Sequence, residues 1–148
     1  MTRYGVSALW PHESRLSDGS PDGSHIGLMQ MPTTMQDAFD WTINTQDGVS
    51  LFFEKLALAE NNARKMENTH PGLRDLTASE LEDMAIELYG PFPGGLNLTK
   101  QYYAPSCVGG TANGNACSGG SWEWIVNIAG NNRGVGYVAN VRKNIQLP

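Results

Sequence analysis

The apolar residues of this chain recur mainly at intervals of three and four, the spacing of amphipathic helices. The longest such pattern predicts a helix over residues 46–67, which Asn44 or Thr45 would cap. A second helix is predicted to open with a capping box at residues 77–80 and to stop at Gly90. The core-facing positions of the two helices are Val49, Phe52, Phe53, Leu56, Ala59, Ala63, Leu81, Met84, Ala85 and Leu88.

Shorter apolar patterns predict four more helical segments. They cover residues 4–10, which Pro11 would end, about 33–43, 122–130 and 135–145. The last two carry the apolar residues Trp122, Trp124 and Ile125, and Tyr137, Val138 and Val141. Together with the two longer helices, these segments predict a mainly α protein.

Two segments rich in glycine, proline and small polar residues interrupt the helical patterns. Residues 16–27 contain the turn dipeptides Asp18-Gly19 and Asp22-Gly23, which predict a loop or a small β-hairpin. Residues 90–121 show no regular period. We expect an ordered loop or insertion there, because an unstructured segment of that length is unusual in a compact domain.

The chain has two cysteines, Cys107 and Cys117, which enclose a loop of mostly Gly, Asn and Ala. Such a loop has little means of holding its own shape. A bridge would remove about 3 kcal/mol of unfolded-state entropy and would indicate an oxidising compartment. Two free thiols are the alternative.

Composition and charge narrow the class of protein. With 40% apolar and 17% charged residues, the 148-residue chain is expected to form one globular domain over residues 1–148. The net charge of -5 argues against a nucleic-acid surface, and no apolar run is long enough for a membrane span. Residues 1–10 lack the pattern of a signal peptide, so the route of export stays open.

One segment, residues 13–32, carries the most specific motif. It begins with Glu13-Ser14, continues through a loop rich in Ser and Gly, and ends with Gly27-Leu28-Met29-Gln30 and Pro32-Thr33. This combination resembles the lytic transglycosylases and goose-type lysozymes, which cleave the glycan strands of bacterial peptidoglycan. Pro11 departs from the family, whose glutamate usually ends a longer uninterrupted helix.

The resemblance continues along most of the chain. Asn44 and Gly48 resemble the Asn-x-x-x-Gly that opens a family helix, and Tyr137-Val138 resembles its closing Tyr-Val-x-x-Val. Tyr89 matches the tyrosine of an Ala-Tyr-Asn-like motif, but Gly90 replaces the asparagine. The resemblance implies a lysozyme-like fold with a small loop or β-hairpin region beside the catalytic glutamate.

The resemblance also implies which residues carry the chemistry. Glu13 would protonate the glycosidic oxygen, since a glutamate held against apolar groups can stay protonated near neutral pH. Residues of the family's binding cleft would be Ser14, Met29, Gln30, Tyr89 and Tyr137. No cofactor is expected, and His12 and His25 lack the further ligands of a zinc site. The expected partner is the peptidoglycan strand, met by a monomer in an extracytoplasmic compartment.

A second carboxylate decides between two reactions. A hydrolase needs an Asp or Glu that activates water, and Asp22, or else Asp18, is placed to serve; each is also a plain Asp-Gly turn residue. A lytic transglycosylase needs none, because the sugar's own 6-hydroxyl attacks. Pro32 stands where the goose-type pattern has an Asp. The number of residues from Glu13 to Gly27 is also closer to that of the transglycosylases. Both features favour the transglycosylase.

Several alternatives remain at this point. A non-catalytic glycan-binding module is favoured by Gly90 and Pro11, whereas no feature of the chain favours an enzyme acting on chitin. Trp122 and Trp124 could stack on sugar rings or belong to the core. Met29 or Met31 could line the floor of the groove or pack inside.

Overall fold

The computed structural model describes residues 25–26, 31–32, 40–90 and 101–144. Within these ranges it contains three helices and three two-stranded antiparallel sheets, so the predicted mainly α class is confirmed in its coarse form. The elements in chain order are β1 (His25–Ile26), β2 (Met31–Pro32), α1 (Trp41–Thr69), α2 (Ala78–Tyr89), β3 (Tyr103–Val108), β4 (Thr111–Asn113), β5 (Ala116–Ser118), β6 (Ser121–Val126) and α3 (Ile128–Asn144). No helix in the described ranges is long and apolar enough to cross a membrane.

The β-hairpin predicted near residues 16–27 has a counterpart in strands β1 and β2. His25 pairs with Pro32 and Ile26 with Met31 in antiparallel register. The two strands therefore flank residues 27–30 and extend past the predicted range. The segments 4–10 and 33–39, for which helices are predicted, lie outside the described residues, as does 16–24.

Helix α1 begins earlier than its apolar pattern indicates. Asp40 is the capping residue, because its carboxylate accepts hydrogen bonds from the backbone N–H groups of Thr42 at 3.0 Å and Ile43 at 3.2 Å. The prediction that Asn44 or Thr45 caps the helix was wrong. Asn44 lies within the first turn and is 1% exposed. One continuous helix thus replaces the predicted boundary near residue 44.

The chain divides into two compact units, residues 1–53 with 139–148 and residues 54–138. The second unit contains a continuous apolar core formed by its part of α1, the segment before α2, α2 itself and the strand β6. The core residues are Ala59, Ala63, Leu73, Leu76, Met84, Leu88, Trp122 and Trp124. The single-domain organisation stays a prediction.

The prediction of a helix beginning at Trp122 was wrong, because β6 pairs along its length with β3 in an antiparallel sheet. Cys107 lies opposite Trp122, and Pro105 lies opposite Trp124. Burial alternates along β6, with both tryptophans buried and the residues between them exposed. A period of two is typical of a strand with one buried face. Because the apolar run is short, the sequence alone did not distinguish this period from that of a helix.

The cysteines are joined, as the bridged alternative predicts. The Cα atoms of Cys107 in β3 and Cys117 in β5 lie 5.4 Å apart across the disulfide. Between them, β4 and β5 form a short hairpin whose turn contains Gly114 at a φ of 59°. That left-handed backbone conformation is readily available to glycine. In its described part, the ordered insertion predicted over residues 90–121 is thus a disulfide-closed β-structure, which continues to residue 126. Residues 91–100 of the predicted range lie outside the described residues.

Helix α2 confirms the predicted capping box. The side chain of Thr77 accepts from the backbone of Glu80, and the carboxylate of Glu80 accepts from the backbone N–H of Thr77 at 2.8 Å. The two terminal guanidinium nitrogens of Arg74, Nη1 and Nη2, also donate to Glu80, at 2.8 and 2.6 Å. Glu80 is therefore more than the solvated surface acid that its position on an amphipathic helix indicates.

This ion pair predicts a pH dependence of stability. The hydrogen bonds from Arg74 hold the pKa of the Glu80 carboxyl at about 2, below its ordinary 4.5. A carboxyl whose pKa is lowered by folding stabilises the protein above its ordinary value and loses that contribution as pH falls toward 2. Urea denaturation would measure the free energy of unfolding of the wild type and of Glu80→Gln. The difference between the two values should be largest at pH 6 and should shrink as the pH falls from 4.5 to 2. A difference that stays constant over this range would contradict the assignment.

Candidate functional site

The predicted site residues fall into two groups. Five of them, Glu13, Ser14, Asp22, Met29 and Gln30, lie outside the described residues, so their roles stay predictions. The two tyrosines are described. Tyr89 is the last residue of α2 and Tyr137 lies in α3, and both are half-buried.

The structure brings the two tyrosine-bearing segments together. The ring of Tyr137 packs against the backbone of Gly90, the residue after Tyr89. A Cβ atom placed on Gly90 would lie 2.6 Å from Cε1 and 2.7 Å from Cδ1 of that ring. Since Gly90 has a φ of -70°, open to any residue, the ring rather than the backbone conformation requires glycine here. This gives a packing reason why glycine stands where the lytic transglycosylase motif has asparagine.

We expect Gly90→Ala to lower the free energy of unfolding by about 1–3 kcal/mol, because the added methyl group overpacks the contact with Tyr137. Chemical denaturation would measure the loss. Gly136→Ala is the matched control, since it lies in the same helix as Tyr137 and a Cβ there meets no atom within 4 Å. That variant should gain up to about 1 kcal/mol through helix propensity. Equal effects of the two substitutions would contradict the close contact.

A buried hydrogen bond joins the same two helices. Glu87 of α2 is 1% exposed, and its Oε1 accepts from the side-chain amide of Asn131 at 2.7 Å. The sequence pattern did not identify Glu87, because a glutamate beside Leu88 on an amphipathic helix normally faces solvent. The five residues from Met84 to Leu88 are all buried, so the end of α2 is covered around its circumference.

Asn131 interrupts helix α3. Its backbone is not helical, with φ -148° and ψ 58°, and its Oδ1 accepts from the backbone N–H of Gly134 at 3.0 Å. It therefore caps the helical segment that carries Tyr137. Gly134 is required beside it, because a Cβ there would lie 2.8 Å from Cγ of Asn131. The helix predicted from about 135 begins earlier, at this cap.

Asn127 extends the polar contacts toward β3. Its Oδ1 accepts from the backbone of Gly130 at 3.0 Å, which caps the first turn of α3, and its amide donates to the carbonyl of Gln101 at 3.0 Å. Gln101 is fully buried. The side chains of Asn127 and Asn131 thus cap the two helical segments of α3, before and after the kink at Asn131. The sequence signal for these caps was the repeated Asn in residues 127–132.

Trp122 and Trp124 belong to the core rather than to an open sugar-binding face. Each is 8% exposed. The indole N–H of Trp124 donates to the carbonyl of Arg74 at 2.8 Å, and that of Trp122 donates to the carbonyl of Asn115 at 3.1 Å. The ring of His70 also packs edge-to-face on Trp122, with centroids 4.5 Å apart. These contacts anchor the β3–β6 sheet.

A groove lies between α1 and the segment that leads into α2. It has a volume of about 320 Å³ and is lined by Glu60, Ala63, Arg64, Glu67, Asp75, Leu76 and Leu81. Burial, together with the nearby Asp75 carboxylate, raises the pKa of Glu67. None of the predicted site residues lines this groove.

The described residues contain no group of three or more His, Cys, Asp or Glu side chains arranged to hold a metal ion. The described part of the predicted site is the contact of the Tyr137 ring with Gly90, near the hydrogen bond between Asn131 and the buried Glu87. Comparison of the chain with protein-family models, curated proteins and solved structures gave no match in any of the three.

Proposed function

We propose that the chain is a muramidase that cleaves the β-1,4 bond between N-acetylmuramic acid and N-acetylglucosamine in peptidoglycan. One observation carries the proposal beyond the sequence resemblance, namely the packing of Tyr137 on Gly90. It joins the segments of two tyrosines, Tyr89 and Tyr137, that the resemblance assigns to one cleft. Residues chosen separately from the sequence are thereby supported as parts of one site.

The reaction that fits best is that of a lytic transglycosylase. Glu13 donates its proton to the glycosidic oxygen, and the bond from that oxygen to C1 of the muramic acid breaks. The resulting carboxylate then accepts the proton of the 6-hydroxyl as that oxygen bonds to C1. A 1,6-anhydro ring forms, no water is consumed, and Glu13 regains its proton.

The structural observations support this assignment in two further ways. Gly90, which as a replacement for asparagine favours the non-catalytic module, has a packing explanation in the ring of Tyr137. The Cys107–Cys117 disulfide fits an extracytoplasmic protein, since such bridges persist in oxidising compartments. Peptidoglycan is found in such a compartment.

Mass spectrometry of the products tests the proposal. Purified cell-wall sacculi are incubated with the intact protein, and the released muropeptides are separated and weighed. Anhydro-muropeptides, lighter than hydrolysis products by one water, are the expected result. Reducing ends would instead assign a lysozyme with Asp22 as base, which Asp22→Asn should inactivate, and binding without release would assign the non-catalytic module.

A further inference from the structure

Glu87 is the one ionisable side chain among the described residues that is almost completely buried. Removing a carboxyl group from water is unfavourable unless a polar partner replaces the lost hydration. Here the partner is the amide of Asn131, which donates at 2.7 Å. A hydrophobic residue could fill the same space at lower cost, so the pair calls for an explanation beyond packing.

The pair lies on the face of α2 that meets the start of α3. Glu87 and Gly90 are three residues apart and therefore share one side of the helix. Glu87 contacts Asn131, and Gly90 contacts the ring of Tyr137. The hydrogen bond and the ring contact thus fix the same junction at two points.

Asn131 transmits the position of Glu87 to the helix that carries Tyr137. Its amide nitrogen donates to Glu87, while its Oδ1 accepts from the backbone of Gly134. Both ends of one rigid amide are therefore used, and rotation of that amide would break the link and the cap together. The absence of a side chain at Gly134 leaves room for this amide, since a Cβ there would lie 2.8 Å from Cγ of Asn131.

We propose that Glu87 is a positioning residue of the glycan site, which acts through Asn131 to place the ring of Tyr137 beside Tyr89. The inference rests on the proposed function, in which these two tyrosines bind the glycan. A link that sets where the α3 segment begins is therefore expected to affect substrate binding.

Exchange of the two side chains tests this role. Asn131→Asp removes the donor and sets two carboxyl groups against each other, and we expect the apparent KM for sacculi to rise about tenfold, as loss of a hydrogen bond to a charged group would predict. The value of kcat should change little. In the double variant Glu87→Gln with Asn131→Asp, the glutamine amide can donate to the new carboxylate, so KM should return toward the wild-type value.

Asp83→Asn is the matched control for the Glu87→Gln half of the double variant, because it makes the same change from carboxyl to amide one turn earlier in α2. The carboxylate of Asp83 accepts a hydrogen bond from the hydroxyl of Tyr103 at 3.2 Å. The amide oxygen of Asn can accept the same hydrogen bond, so the KM of Asp83→Asn should stay at the wild-type value. All variants are compared at a temperature where circular dichroism shows them folded. A lower melting temperature for Asn131→Asp with an unchanged KM would assign the pair a purely structural role and overturn the proposal. A raised KM that the double variant does not restore would overturn it as well.

The same proteins separate failure of this inference from failure of the proposed function. If the wild type releases no muropeptides, the enzyme assignment fails, and the Kd for peptide-free glycan strands replaces KM as the measured quantity. Loss in Asn131→Asp and recovery in the double variant would then still support positioning by Glu87 in a binding module. Equal Kd values for all the proteins, or no measurable binding by any of them, would overturn it.

Discussion

Replacement of Glu13 by Gln is expected to lower the rate of muropeptide release by about 10²–10⁴-fold, the usual contribution of a positioned general acid. Glutamine has nearly the same shape but cannot donate a proton to the glycosidic oxygen. Binding should survive, because the amide keeps the size and polarity of the side chain. Initial rates of release from sacculi, with the amount of bound protein measured in parallel, would give both quantities.

The matched control for this variant is Glu54→Gln, the same substitution at an exposed position of α1. It should retain the wild-type rate. A Glu13→Gln protein that is folded and releases muropeptides at the wild-type rate would remove Glu13 from the mechanism. Equal losses in both variants would indicate an effect of net charge on binding to the wall, which also carries carboxylates.

The helices were predictable where a local sequence signal determines them. The capping box at Thr77 and Glu80 is such a signal, because both hydrogen bonds form within one turn. The start of α1 was not predicted, because Asp40 and Asn44 are both good capping residues. Their burial, which the sequence does not show, is what distinguishes the cap from the buried residue. Asn44 is buried within the first turn, whereas Asp40 is exposed and accepts from two backbone N–H groups.

Strand β6 shows the limit of reading periodicity in a short segment. Trp122 and Trp124 alternate with Glu123 and Ile125, a pattern that six residues scarcely distinguish from the start of a helix. The pairing that decides it is with β3, which is distant in sequence and joined through the disulfide-closed hairpin. Contacts of this kind cannot be derived from local spacing.

The candidate site was predictable through its motif residues but not through the contacts that hold them. Tyr89 and Tyr137 could be selected from the resemblance, whereas the packing of the Tyr137 ring on the residue after Tyr89 depends on Gly90 having no side chain. Glu87 gave no sequence signal, because burial around the whole of the last turns of α2 comes from its packing partners. The burial of Glu87 depends on its contact with Asn131 of α3, and the position of α3 relative to α2 cannot be derived from the sequence of α2 alone.

Loss of the disulfide is expected to lower the free energy of unfolding by about 3 kcal/mol, because the open chain regains the loop entropy that the Cys107–Cys117 bridge removes. The prediction concerns more than the β4–β5 hairpin. Cys107 lies opposite Trp122, and the ring of Trp122 packs on His70. Trp124, on the same strand, donates a hydrogen bond to the carbonyl of Arg74. Urea unfolding followed by tryptophan fluorescence would measure the loss in the variant with both cysteines replaced by Ser.

Reduction of the wild type supplies the control, because it opens the same bond without changing the residues. Wild-type protein in a reducing agent should match the double serine variant, and that variant should be insensitive to the reducing agent. If reduction left the unfolding midpoint unchanged, the strand pairing and the tryptophan contacts would hold the β3–β6 sheet without a contribution from the disulfide. The indole of Trp124 donates to the carbonyl of Arg74, outside the disulfide-closed loop, whereas that of Trp122 donates to the carbonyl of Asn115, inside it. A fluorescence change before the main transition would therefore indicate that the hairpin opens while the core of α1 and α2 remains folded.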